Sequence, residues 1–168
     1  MEIQLISGPN SSGKSLFAEG LAVSSGGPLV YAATMIPEGE ENQRRVEKHR
    51  LQRKDKGFTT IEVPWDIQEL SVKPETVVLL EDASNLLANG IFLHGADAGE
   101  ALERISTLAQ KCRKVIIVTI SGLSVEDYSG ETAEYIRQLN LLNELLLDAA
   151  ALAFEMREGE AVPLKRQV

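Results

Sequence analysis

Ile3-Gln4-Leu5-Ile6-Ser7-Gly8-Pro9-Asn10-Ser11-Ser12-Gly13-Lys14-Ser15-Leu16 is the stretch from which the rest of the chain is read. Gly8, Gly13, Lys14 and Ser15 stand at the spacing G-x-x-x-x-G-K-S, directly after an apolar strand pattern and directly before a helical pattern that begins at Leu16. Strand, glycine-rich turn and helix in that order are the setting of a phosphate-binding loop. The glycines let backbone N–H groups turn inward around a phosphate, the lysine brings charge to the β and γ phosphates, and the serine hydroxyl is a ligand for Mg²⁺. The helix that follows adds the positive end of its dipole. Gly8, Pro9, Asn10, Ser11, Ser12, Gly13, Lys14 and Ser15 are therefore expected to bind nucleotide.

Outward from this loop, apolar strand-like runs recur at residues 2–6, 29–33, 59–63, 76–81, 114–120 and 151–156. Helical patterns fall between most of them: Leu16 to Ala22, the charged amphipathic segment Glu41 to Asp55, Ala98 to Lys111 with Leu102, Ile105 and Leu108 at helical spacing, and the Leu-rich segment Thr132 to Ala149. Strands alternating with helices predict an α/β fold, a largely parallel sheet flanked by helices. Leu152 to Met156, Glu158-Gly159-Glu160 and Ala161 to Leu164 read as a C-terminal hairpin at the sheet edge. The Gly-rich acidic stretches 94–104 and 121–131 read as loops near the site or at a subunit contact.

At 168 residues and 43% hydrophobic content, one domain spanning residues 1–168 is expected. A net charge of −8 argues against binding nucleic acid, whose phosphates the whole-molecule field would repel. Cys112 is the only cysteine, which leaves no intramolecular disulfide and no cysteine-based metal site, in keeping with a reducing cytoplasm. The N-terminus opens on a strand pattern and no apolar run is long enough to span a bilayer, so a soluble cytoplasmic protein is expected.

Between Arg44 and Lys56 stand seven basic residues against Glu47 and Asp55, a local balance of +5 on an acidic protein. A cationic helix in a chain with a phosphate loop suits a polyphosphate gripped from a second side. His49 lies within it, with Arg45 and Arg53 at i−4 and i+4 on the same helical face. A neutral imidazole is a nucleophile, and neighbouring guanidiniums would stabilise charge developing on an attacked phosphorus. His94, in Phe92-Leu93-His94-Gly95, has no charged neighbours and is the weaker candidate.

These residues taken together resemble the bifunctional adenosylcobinamide kinase/adenosylcobinamide-phosphate guanylyltransferases of late cobalamin biosynthesis. The resemblance runs through Ser7 to Ser15 with Phe17-Ala18-Glu19 behind it, then Tyr31-Ala32-Ala33-Thr34, which is similar to the family's Y-I-A-T strand end. Glu41, Arg45, Val46, His49, Arg50 and Arg53 keep the family's spacing of E, R, I, H, R and R, and Phe58, Thr60, Glu62 and Pro64 follow where the family has W, T, E and P. Val78-Leu79-Leu80-Glu81, Asn89 and Asn143 also fall at family positions.

The resemblance implies a P-loop NTPase fold of the RecA-like kind and a homo-oligomer, expected as a trimer, that catalyses two reactions. In the first, the γ-phosphate of ATP or GTP passes to the hydroxyl of adenosylcobinamide. In the second, a histidine, here His49, attacks the α-phosphate of GTP and passes GMP to adenosylcobinamide phosphate. Lys14 would neutralise phosphate charge, Ser15 and Glu81 would hold Mg²⁺, and Thr34, Met35, Ile36, Arg50, Arg53, Glu62 and Glu81 would join the nucleotide site.

The chain departs from the family where V-T-N-E-V-G is expected and Val118-Thr119-Ile120-Ser121-Gly122-Leu123 stands. Ala151 replaces an aspartate, Lys54 a proline and Asp82 a common cysteine. Polar groups at the C-terminal end of a parallel strand lie where such sheets place their ligands. Two other readings of the residues therefore stay open: a different P-loop small-molecule kinase or NTPase, and a catalytically reduced nucleotide-binding relative.

Overall fold

The computed structural model describes residues 2–166. Its seven strands are β1 Ile3–Gly8, β2 Leu29–Ala33, β3 Phe58–Glu62, β4 Val77–Glu81, β5 Lys114–Ile120, β6 Leu152–Arg157 and β7 Glu160–Lys165. They form one sheet in the order β3-β2-β4-β5-β1-β6-β7, parallel throughout except for the antiparallel β6–β7 pair. The helices are α1 Lys14–Ser25, α2 Gly39–Gln52, α3 Ala83–His94, α4 Ala98–Lys111 and α5 Gly130–Ala149, with short 3₁₀ turns at Ile67–Glu69 and Val125–Asp127. Among the described residues, no helix is long and apolar enough to cross a membrane. The expected alternation, the parallel sheet and the C-terminal edge hairpin are all present.

Central strands buried on both faces read as continuous apolar runs. All five residues of β4, Val-Val-Leu-Leu-Glu, are buried. Period-2 alternation divides their side chains between two cores. On one face Leu5, Leu80 and Ile117 pack with Leu86, Ile105, Leu108 and Leu142 of α3, α4 and α5. On the other, Ile6, Leu79 and Val118 pack with Ala18 and Ala22 of α1, with Tyr31 and with Met156.

Two stretches differ from expectation. Residues 94–104 are a loop only up to Asp97, whose carboxylate accepts from Glu100 N at 2.9 Å and caps α4; the helix then runs through Ala101 and Ile105. In the second, α3 forms from Ala-Ser-Asn-Leu-Leu-Ala-Asn-Gly-Ile-Phe-Leu-His, whose two asparagines and glycine are poor helix formers. Packing overrides that weakness: Leu86, Leu87 and Gly90 are buried, and the Asp82 carboxylate accepts from Asn85 N at 2.7 Å as its N-cap. Gly90 is required by close approach, since a Cβ there would meet the Trp65 ring at 2.4 Å.

Parallel strands leave their C-terminal ends at one edge of the sheet. Gly8, Ala33, Glu62, Glu81 and Ile120 all end there, so the phosphate loop, the acidic end of β4 and the entry to α2 share one side of the molecule.

Candidate active site

The loop between β1 and α1 closes on itself through the Pro9 carbonyl, which accepts from Lys14 Nζ at 2.6 Å and from Ser12 Oγ at 2.7 Å. Gly8 and Gly13 hold φ of +148° and +90°, backbone settings that side chains resist, and a Cβ on Gly8 would lie 3.0 Å from the Met156 carbonyl of β6. Burial lowers the Lys14 pKa from its ordinary value, while Asp82 and Glu81 pull it back upward. The ammonium is thus held by the Pro9 carbonyl, within the electrostatic reach of Asp82 and Glu81.

Glu81 is the meeting point. It is buried at the end of β4, where Ser15 Oγ donates to its Oε1 and the Tyr31 hydroxyl to its Oε2. Tyr31 pairs with Leu79 in register, so Glu81 lies two residues further along on the same sheet face, within reach of a long side chain. Burial first, and Glu81 second, raise the Tyr31 pKa, so the phenol remains a donor at any working pH. His49 completes the group: its Nδ1 lies 3.7 Å from Glu81 Oε2, is buried, and has no hydrogen-bond partner. Phosphate loop, acidic strand end and helical histidine, separate in sequence, thus converge on one carboxylate.

The remaining candidates fall into different places. Arg53 is buried rather than free: its guanidinium sits 3.8 Å from the Tyr31 ring centroid, and Nε and Nη2 each donate to Thr60 Oγ1 at 3.1 Å. Arg50 is exposed and pairs with Glu47 on the outer side of α2 at 3.6 Å. Thr34 is fully buried, with its hydroxyl bonded to both the N–H and the carbonyl of Asp82. Met35 and Ile36 are half-buried in the connection that follows it. Glu62 is exposed at the end of β3, in register with Ala33, which in turn pairs with Glu81. It therefore lies two strand spacings, about 10 Å, from the shared carboxylate. Pro9, Asn10, Ser11 and Gly13 are exposed on the loop.

Ser15 Oγ and Glu81 Oε1 are two hard oxygens in contact, the donor type that Mg²⁺ takes when most of its remaining positions are water and phosphate. The residues fit that ion. At the end of β5, Asn143 accepts from Thr119 Oγ1 at 2.7 Å and donates to the Ile120 carbonyl at 2.9 Å, while Ser84 Oγ accepts from Ile120 N at 2.8 Å. Side chains of α3 and α5 thus satisfy this strand end internally.

Tyr31 and Asp82 do not stand out as site residues in the sequence. The parity of Tyr31 with Leu79 and Glu81 points to the first, but only once strand pairing is known. Asp82 follows Glu81 directly and begins an Asp-x-x-Asn helix start. Burial raises its pKa from 3.8 to about 6, with Glu81 adding to the rise and the Asn85 N–H and Lys14 opposing it.

The chain is similar in fold to a solved ATPase domain, with a TM-score of 0.57 and 8% identity over 98% of this chain and 77% of that one. It is also similar to a protein from Pyrococcus horikoshii OT3, with a TM-score of 0.56 and 10% identity over 98% and 86% of the two chains. An ATPase from the type III secretion system of pathogenic bacteria gives a TM-score of 0.54 at 10% identity, covering 96% of this chain and 56% of that one. At such identities the likeness is one of fold, that of P-loop ATPases. No curated protein matches the chain. The family model for cobinamide kinase / cobinamide phosphate guanyltransferase matches residues 4–164. Family and fold together make the protein a nucleotide-dependent transferase of cobalamin biosynthesis. This chain, with its phosphate loop and histidine helix meeting at Glu81, belongs to the cobinamide kinase / cobinamide phosphate guanyltransferase family.

Proposed function

We propose that the protein, acting as a single nucleotide-binding domain within a homotrimer, carries out both reactions of its family on adenosylcobinamide. In the first, the γ-phosphoryl group of ATP or GTP leaves its bridging oxygen and bonds to the substrate hydroxyl oxygen, the nucleoside diphosphate departs, and the hydroxyl proton passes to solvent. Lys14 and the loop N–H groups hold the phosphates, and Ser15 and Glu81 would hold Mg²⁺, which when bound supplies charge neutralisation across the phosphate oxygens. In the second, His49 attacks the α-phosphorus of GTP, a P–N bond forms, and pyrophosphate leaves. A phosphate oxygen of adenosylcobinamide phosphate then displaces the histidine and gives adenosylcobinamide-GDP.

The observation that carries this reading is the 3.7 Å approach of His49 Nδ1 to Glu81 Oε2, on the carboxylate whose other oxygen meets Ser15. A carboxylate facing Nδ1 favours a proton on that nitrogen and leaves the lone pair of Nε2 for attack. Exposed Arg45 lies on the same face of α2 as His49 and is available to the developing negative charge. Exposed Phe92, Leu93 and Leu141 supply apolar area for subunit contact.

The test is incubation with Mg²⁺ and GTP labelled at the α-phosphate. Acid-labile, base-stable label should stay on the chain and vanish in His49→Ala. An unlabelled chain that still binds GTP overturns the guanylyl-histidine step. One observation favours a second reading. The end of β5 carries Ile120 and Ser121 where the family has asparagine and glutamate, which suits a kinase whose turnover needs Lys14 and survives His49→Ala.

A further inference from the structure

Helix α2 carries the proposed nucleophile, yet none of its residues is buried. Apolar packing therefore does not decide where it sits, and polar contacts at its C-terminal end do. Glu19 stands four residues beyond Ser15 on α1, so both project from one face of that helix. Its side chain is 1% exposed, and its carboxylate accepts from Gln52 Nε2 at one oxygen and pairs with Lys56 Nζ at 3.2 Å at the other. Gln52 follows His49 by three residues, one turn along the same side of α2. The two helices thus meet at two levels: Ser15 and His49 on either side of Glu81, and one turn below them Glu19 against Gln52, with Lys56 reaching Glu19 from the turn that follows α2.

We propose that Glu19 is a positioning residue for His49, a buried two-point anchor that fixes the register of α2 against the phosphate-loop helix. The proposal rests on the reading of His49 as the guanylyl carrier. A buried carboxylate is a poor way to gain stability, because a well-packed apolar residue often does as well. What it supplies is direction: one oxygen holds Gln52 in the last turn of α2 and the other holds Lys56 in the turn that follows, which fixes where the helix ends in a way a non-directional apolar contact does not.

The test compares Glu19→Leu, Glu19→Gln, Gln52→Leu and Lys56→Met in the full chain. Gln52 and Lys56 are half-exposed, so their variants keep the fold even where Glu19→Leu does not. Two rates are measured: labelling of His49 from α-labelled GTP, and carbethoxylation of His49 by diethyl pyrocarbonate, read by mass spectrometry. A displacement of about 1 Å costs on the order of 100-fold in a positioned reaction. Glu19→Leu and Gln52→Leu should therefore lower the labelling rate at saturating GTP by roughly 10- to 100-fold while half-saturating GTP stays unchanged. His49 should carbethoxylate several-fold faster in both. Glu19→Gln, which still accepts from Lys56, should restore most of the rate, and the Glu19→Leu/Gln52→Leu double variant should be no worse than either single one.

Unchanged labelling and carbethoxylation in Glu19→Leu and Gln52→Leu overturn the proposal. So does a loss of labelling that only follows a loss of GTP affinity or of folded protein. A wild-type chain that takes no label while its carbethoxylation still responds to these variants refutes the guanylyl-carrier reading and upholds the positioning of His49.

Discussion

Replacing Asp82 by asparagine should make the protein more stable at neutral pH. The Asp82 carboxylate caps α3, and its backbone N–H and carbonyl are held by Thr34 Oγ1 at 2.8 and 2.9 Å, so the side chain cannot move away from its surroundings. Burial beside Glu81 raises its pKa from 3.8 to about 6. The folded protein therefore binds a proton between those values that the unfolded chain has released, and stability falls as pH rises through this window. Below about pH 3 both states are protonated and there is no penalty; above about pH 7 both are ionised and the full cost of the desolvated charge applies. A rise of that size corresponds to about 3 kcal/mol. Asparagine has the same shape, keeps an acceptor for Asn85 N, is an equally good N-cap and cannot ionise. Urea unfolding of wild type and Asp82→Asn should differ by about 1–3 kcal/mol near pH 8, with the variant the more stable, and converge near pH 3. Asp82→Ala should keep less of this gain, because losing the cap costs about 1 kcal/mol. An asparagine variant less stable than wild type near pH 8, or a difference independent of pH, would refute the reasoning.

Lys14→Met should reduce nucleotide turnover by at least about 100-fold, since the only buried ammonium among the described loop residues is lost; turnover measured with ATP and with GTP checks this, and near-wild-type rates would remove Lys14 from the chemistry. Gly90→Ala should destabilise the protein by about 1–3 kcal/mol despite alanine's better helix propensity, because its Cβ would stand 2.4 Å from a Trp65 ring packed against Arg104 at 4.3 Å. Thermal unfolding followed by Trp65 fluorescence reads this directly, and an unchanged or raised midpoint would contradict the close approach.

Much of the site was legible before the fold. Gly8 to Ser15 identified the phosphate loop because backbone geometry there demands particular residues at particular places, and His49 stood out as an imidazole in a cationic helical segment. Helix α3 was not legible, because its asparagines and glycine are poor helix formers and the contacts of Leu86, Leu87 and Gly90 come from distant segments. The role of Arg53 was equally hidden: spacing places it on the His49 face, yet the position of Tyr31 and Thr60 turns it into a buried brace.

By itself the sequence determined the α/β alternation, the parallel sheet and the glycine-rich turn between the first strand and helix, which follow from local periodicity and short-range backbone chemistry, and it singled out His49 as the candidate histidine by its cationic surroundings and the family resemblance. Tertiary structure alone decided that Ser15, Tyr31 and His49 converge on Glu81, and that Glu19 meets Gln52 of the helix bearing His49 and Lys56 of the turn after it. Those contacts join segments far apart in the chain, and the order β3-β2-β4-β5-β1 brings them to one edge of the sheet. Local pattern can place a residue on a face, but strand order and register set which faces meet.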